Sequence, residues 1–197
     1  MNAAYKKEEK MHIEFLMAIG VVVVAYLIGS LSFAVMVSRI MGLADPRTFG
    51  SHNPGATNVL RSGSKAAAIA TLVLDAAKAW LPMLAVRQWG LAYGWGEGVL
   101  ALVGLAAFMG HLYPIFFRFK GGKGVATAAG VVLGVAPWLA AGVALTWVVI
   151  FAAWRYSSLA SLVAAIVAPV LYVLASGHLW PWAPSVALAM TVMSALL

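Results

Sequence analysis

The chain contains no cysteine, which excludes a disulfide framework and thiol chemistry. It also has little charge. Only 10% of its 197 residues are Asp, Glu, Lys or Arg, where a soluble domain carries about a quarter. Acidic residues are the scarcest, six against thirteen Lys and Arg, and they form no cluster of the kind that holds a divalent metal. No Walker-type loop and no adenine-pocket motif is present, so no nucleotide cofactor is expected. No Ser–His–Asp arrangement occurs at a recognisable spacing. What fills the chain instead is apolar: 63% of the residues are hydrophobic. These features define an all-α integral membrane protein, read as one domain over residues 1–197, without linker, low-complexity tract or internal repeat. The net charge of +7 is read as cytoplasmic loop charge rather than as a nucleic-acid surface. Met1–Lys10 reads as a short charged tail. It is not a cleavable signal, because the apolar run behind it is too long and lacks a small-residue cleavage site.

Hydropathy and helix breakers place the spans. The first is expected from about Ile13 to Met41, the second from Ala66 to Val86 with Asp75 and Lys78 inside it, and the third from Val99 to Phe117. The stretch from Lys123 to Arg155 would be about 46 Å long as one helix, too long for a core of about 30 Å. Gly134 and Pro137 interrupt it, giving helices over Gly124–Val135 and Pro137–Trp154, the first of them a partial span of about 18 Å. Ser158–Ser176 is the sixth, and Pro184–Leu197 begins a seventh. Basic residues orient the bundle. Arg39, Arg47, Arg61 and Lys65 flank the first loop, Arg118, Lys120 and Lys123 the third, and Arg155 the junction before the sixth helix, whereas Gln88–Gly98 has no Lys or Arg. These three junctions are expected on the cytoplasmic side, with the N-terminus outside.

The same three junctions carry the chemistry. Phe119-Lys120-Gly121-Gly122-Lys123-Gly124-Val125-Ala126-Thr127 places three glycines and two lysines within five residues, directly before an apolar helix. Glycine lets backbone approach a ligand, lysine supplies point charge, and a helix start offers unpaired N–H groups, all suited to phosphate. A snorkelling anchor would explain the lysines but not the glycines. The first junction, Gly50-Ser51-His52-Asn53-Pro54-Gly55-Ala56-Thr57-Asn58-Val59-Leu60-Arg61, gathers hydroxyls, amides and an arginine whose planar fork grips phosphate. Ser51, Asn53, Thr57 and Asn58 could equally cap a helix and shape a turn. Gly110-His111-Leu112-Tyr113-Pro114 leads into the lysine loop, and His111 could bond only backbone. In Arg155-Tyr156-Ser157-Ser158-Leu159-Ala160-Ser161, Ser158 and Ser161 lie at a helix start. Asp75 and Lys78, spaced i,i+3, are read as a buried structural pair rather than as catalytic groups. His178, Trp180 and Trp182 read as an outer interfacial belt.

Those three segments, in this order, resemble the three motifs of PlsY, the bacterial acyl-phosphate-dependent glycerol-3-phosphate acyltransferase family. The resemblance runs from about Tyr26 to Leu197. It implies seven transmembrane helices, one of them partial or broken, an outside N-terminus and a site facing the cytoplasm of a bacterial inner membrane. It implies transfer of a fatty acyl group from acyl phosphate to glycerol 3-phosphate, giving lysophosphatidic acid and inorganic phosphate, the first acylation step of phospholipid synthesis. It also makes the soluble enzyme that produces acyl phosphate a candidate partner. The site residues implied are Ser51, Arg61, Lys123 and Ser161 in catalysis, with Asn53, Thr57, Asn58, His111, Lys120, Gly121, Gly122, Gly124 and Ser158 binding substrate, and no metal or cofactor. In the family a basic tail resembling Arg-His-Arg-x-Asn-Ile follows the last helix. This chain stops at Leu197 with no counterpart, and the tail is expected to be missing. The competing readings are an anion transporter, which calls for access from both faces and pseudo-repeated halves, and a non-catalytic membrane scaffold, which calls for no polar constellation at the junctions.

Overall fold

A computed structural model of the chain describes residues 3–180 and 182–197. The described residues form nine α-helices: α1 (Ala3–Gly29), α2 (Phe33–Ile40), α3 (Ala56–Leu60), α4 (Lys65–Trp89), α5 (Glu97–Leu112), α6 (Val125–Val135), α7 (Pro137–Trp154), α8 (Ser157–Ala175) and α9 (Pro184–Leu196). Five stretches are long and apolar enough to cross a membrane, Tyr5–Gly29, Lys65–Tyr93, Glu97–Phe117, Pro137–Trp154 and Ser157–Ala175, and α6 and α9 are shorter apolar helices. The chain is therefore an all-helical integral membrane protein. Its outward faces are apolar, as Leu16, Ile69, Leu145, Ile166 and Leu188 show, each exposed. Such faces suit lipid, where all backbone groups must be satisfied inside the helices.

The most extensive helix pairings are α1 with α5, α4 with α6, and α7 with α8. Met83, Val103, Phe108, Leu139, Tyr172 and Met193 share the central core. Small residues set how closely the helices approach, as expected where lipid offers no hydrophobic drive for association. A Cβ on Gly130 of α6 would lie 2.0 Å from the Ala76 carbonyl oxygen of α4, and one on Gly29 of α1 would lie 2.1 Å from the Ala107 carbonyl oxygen of α5. The C-terminal end of the short helix α6 is closed by Arg87 of α4. Its Nε donates to the Gly134 carbonyl at 2.7 Å and its Nη2 to that of Val135. A helix ending inside an apolar bundle needs such a donor for its last carbonyls.

The structure corrects three expectations about the elements. The helix expected over Ile13–Met41 is two helices, interrupted at Ser30–Ser32. The sequence there, Gly29-Ser30-Leu31-Ser32, is weakly helical, and tertiary contacts fix the interruption. Gly29 meets the α5 backbone, Ser30 Oγ bonds back to the Tyr26 carbonyl at 2.9 Å, and the Leu31 carbonyl is taken by Lys78. The charged stretch expected as a tail is helical from Ala3 onward, the first turns of α1. The helix expected to reach Phe117 ends at Leu112, and Ile115–Phe117 forms a separate 3-10 turn after Pro114, which favours extended backbone before it. Trp180 is also tied into the bundle. Its Nε1 donates to the Tyr172 carbonyl at 3.1 Å and its ring stacks on Tyr172 at 5.9 Å, closing the α8–α9 turn.

Gly130→Val is expected to destabilise the detergent-solubilised protein by roughly 1–3 kcal/mol or more, because the added methyls meet the α4 backbone rather than a movable side chain. Gly20→Ala, where nothing lies within 4 Å, is the control. Thermal unfolding of the two variants checks this, with a lower midpoint expected for the first only.

Candidate active site

Two of the three polar junctions meet. The first is organised by Asn58, which is 2% exposed. Its Nδ2 donates to the Pro46 carbonyl at 2.6 Å and to the Phe49 carbonyl at 3.1 Å, and its Oδ1 accepts from the Ser51 backbone N–H at 3.1 Å. The side-chain amide holds the loop like a spoke. Asn58 was expected to contact substrate, and the structure instead places it beneath the loop with its amide committed to backbone. Gly50, at φ +59°, leaves the space beside Asn58 across which the Arg61 side chain lies. The loop is further pinned by Arg47, whose Nη2 donates to Asp45 Oδ2 at 2.6 Å and whose guanidinium sits 5.6 Å from the Phe117 ring centre. The hydrogen bond from Arg47 holds the Asp45 carboxyl below its ordinary pKa. With this frame in place, Ser51, Thr57 and Arg61 are exposed and Asn53 is half-buried.

The lysine loop folds back against the end of α5. Gly121 N–H donates to the Leu112 carbonyl at 3.2 Å and Gly122 N–H to the His111 carbonyl at 3.2 Å. The glycines are dictated by that packing. A Cβ on Gly121 would lie 2.0 Å from the His111 carbonyl oxygen, one on Gly122 would lie 2.4 Å from His111 Nε2, and one on Gly124 would lie 2.5 Å from the Phe108 ring. The expectation that these glycines serve ligand approach is corrected accordingly: the protein's own α5 requires them. The Pro54 carbonyl oxygen lies 3.1 Å from that same Cβ position at Gly122, which puts the first junction directly against the lysine loop. Lys120 and Lys123 are exposed. Among the described residues, neither they nor Arg61 has an ion-pair partner, leaving three cations available to an anion. Helix α6 starts beside Lys123 with no side-chain cap on its N–H groups.

The third junction is tied to its own helices. Ser161 Oγ donates to the Ser157 carbonyl at 2.8 Å and accepts from Trp147 Nε1 at 3.1 Å, so its hydroxyl ties α8 to α7. These bonds give Ser161 a structural part. Ser158 is exposed. Among the described residues, no hydrogen bond or ion pair joins Arg155–Ser161 to the other two junctions.

Beneath the paired loops lies a group that sequence reasoning only half found. Asp75 and Lys78 do form a buried pair, 2.8 Å apart with side chains 2% and 1% exposed. A third member, His111 of α5, joins them, its Nδ1 lying 2.9 Å from Lys78 Nζ and 3.7 Å from Asp75 Oδ1. Lys78 Nζ also donates to the Leu31 carbonyl at 2.7 Å. Next to them is a cavity of about 10 Å³, lined by Gly29–Ser32, Lys78, His111, Pro114, Gly121 and Gly122. That is room for about one water molecule. The i,i+3 spacing marked the pair; the link to His111, 33 residues further on, left no local sign.

An all-helical membrane bundle that presents exposed cations on two abutting loops, one of them leading into an uncapped helix start, belongs to the class of membrane proteins built to receive an anionic substrate. The particular kind follows from its relatives. The family model described as glycerol-3-phosphate acyltransferase matches residues 19–197. A glycerol-3-phosphate acyltransferase of Albidiferax ferrireducens is 64% identical over 172 residues, covering 87% of this chain and 77% of the relative. One from Bordetella pertussis is 56% identical over 178 residues, covering 90% of this chain and 82% of the relative. The crystal structure of PlsY (YgiH), an integral membrane glycerol 3-phosphate acyltransferase, in its glycerol 3-phosphate form, superposes with a TM-score of 0.81 at 40% identity, covering 91% of this chain and 86% of that one. Its lysophosphatidic acid form superposes with a TM-score of 0.80 at 39% identity. The chain belongs to the glycerol-3-phosphate acyltransferase family.

Proposed function

We propose that this enzyme takes its acyl group from acyl phosphate and transfers it directly to a hydroxyl of glycerol 3-phosphate, releasing inorganic phosphate and lysophosphatidic acid. The observation that carries the reading is the set of three unpaired cations, Arg61, Lys120 and Lys123, on two loops in contact. Both substrates present a phosphate, and holding two phosphates together aligns the acceptor hydroxyl with the acyl carbonyl. Arg61 binds by its planar fork and Lys123 as a point charge beside the start of α6. Ser51, Asn53 and Thr57 lie along the same loop as Arg61 and complete the polar wall, and Lys120 and Ser158 supply further donors. Among the described residues no serine hydroxyl is hydrogen-bonded to a histidine or carboxylate, so no acyl-serine forms and the acceptor hydroxyl attacks the carbonyl itself. Its proton goes to a substrate phosphate oxygen, whose second pKa is about 6. The donor arrives activated, which removes any need for coenzyme A, ATP or a metal. The loops face the cytoplasm of a bacterial inner membrane, where the soluble enzyme that makes acyl phosphate supplies the donor.

Purified protein given acyl phosphate and glycerol 3-phosphate is expected to release phosphate and form lysophosphatidic acid in equal amounts. Lys123→Ala should raise KM for glycerol 3-phosphate, by about tenfold or more, because a charge-assisted contact is lost. Equal rates with acyl-coenzyme A, or an acyl-enzyme trapped on a serine, would overturn the direct-transfer reading.

Orientation is tested separately. The chain has no native cysteine, so single cysteines report without background. In intact cells an impermeant thiol reagent is expected to label Ala92→Cys and to spare Lys65→Cys and Tyr156→Cys, all three being exposed positions. The reverse pattern would place the loops outside.

A further inference from the structure

The buried Asp75–Lys78–His111 group has no part in the transfer as described, and it is built with more care than a structural pair needs. A lysine ammonium has three donors and no acceptor. Lys78 Nζ forms an ion pair with Asp75, 2.8 Å from Oδ1, donates to the Leu31 carbonyl at 2.7 Å and meets His111 Nδ1 at 2.9 Å. The last of these decides the state of the imidazole. A ring nitrogen that accepts from an ammonium carries no proton, so in the neutral ring the proton sits on Nε2. Asp75 holds the ammonium in place and supplies the countercharge that a buried cation requires.

The other end of the imidazole faces the substrate loops. Nε2 lies 2.4 Å from the Cβ position that Gly122 leaves empty, and His111 lines the small cavity between the break in α1–α2 and Gly121–Gly122. Among the described residues, Nε2 has no hydrogen-bond partner, while Nδ1 is engaged with Lys78 inside the bundle. At about 10 Å³ the cavity admits one oxygen atom, not a phosphate.

We propose that Lys78 is a positioning residue for the acyl transfer, fixing His111 as a neutral Nε2–H donor aimed past Gly122 at a single substrate oxygen. The proposal rests on the acyltransferase reading for its consequence and on the geometry alone for the tautomer. A neutral donor of fixed direction suits an oxygen on which negative charge develops during attack, since it stabilises that charge without first giving up its proton. The cavity lined by His111, Gly121 and Gly122 is the space such an oxygen would enter.

The test has two readouts on the whole protein reconstituted in lipid. The first is the ¹⁵N spectrum of histidine-labelled wild type. The chain has four histidines, and His111→Asn assigns the relevant signals by difference. A pyridine-type Nδ1 and a pyrrole-type Nε2 are expected for His111, and a protonated ring or the opposite tautomer would overturn the proposal whatever the activity. The second readout uses Asp75→Leu/Lys78→Met, which removes both charges together and so leaves no unpaired ion in the bundle. Its kcat is expected to fall by about tenfold or more, less than the roughly 10²–10³ lost with an oxyanion donor itself, because the ring remains. KM for glycerol 3-phosphate should rise less than kcat falls, because the phosphate-gripping side chains themselves are not substituted. Wild-type kcat in this variant, or a loss confined to KM, would overturn the positioning role. Wild type that makes no lysophosphatidic acid would instead refute the function, leaving the tautomer measurement standing.

Discussion

A charged amine inside a membrane bundle needs a countercharge and polar partners, and the way Lys78 meets that demand organises the functional end of this molecule. Its three partners come from three places in the chain: Asp75 on its own helix, the carbonyl freed where α1 gives way to α2, and His111 at the end of α5. Removing one partner of a buried ion pair costs about 3–5 kcal/mol, so this knot tolerates no casual change. It also makes sense of the helix break. An unpaired carbonyl in hydrocarbon is expensive, and irregular backbone survives there only where another group satisfies it. Lys78 is that group for Leu31.

The site grows outward from the knot. Because α5 is held at His111, the chain beyond it can fold the lysine loop back onto His111 and Leu112 through backbone bonds from Gly121 and Gly122. Because Gly122 then meets the Pro54 carbonyl, the loop framed by Asn58 is fixed against it. The buried layer is held by the Asp75–Lys78–His111 group, and among the described residues the exposed layer keeps Arg61, Lys120 and Lys123 free of ion pairs. Rigid support below and unspent charge above is the arrangement that electrostatic catalysis asks for, since the donors need not reorganise during reaction.

Much of this could be read from the chain alone. The apolar runs marked the helices, and Pro137 marked the start of α7 at the residue where it begins. The i,i+3 spacing of Asp75 and Lys78 announced an ion pair, and the basic residues before α4 and α6 announced an anion. What stayed hidden depends on contacts between distant residues. Between Leu27 and Leu43 only the short Gly29-Ser30-Leu31-Ser32 stretch hints at a break, which α5 and Lys78 then fix. The glycines of the lysine loop looked like a ligand's requirement and proved to be α5's. Asn58 and Ser161 have side chains equally suited to substrate and to backbone. Only the fold shows that Asn58 is turned inward to Pro46 and Phe49, and that Ser161 is paired with Trp147.

The central claim is that one buried ammonium couples the break in the first span to the lysine loop. Hydrogen–deuterium exchange on Asp75→Leu/Lys78→Met in lipid tests it most directly. The account predicts faster exchange at residues 30–33 and at 121–124 together, with the amides of α8 unchanged. Wild-type protection at both segments, or a loss confined to α4 around the substituted positions, would contradict it.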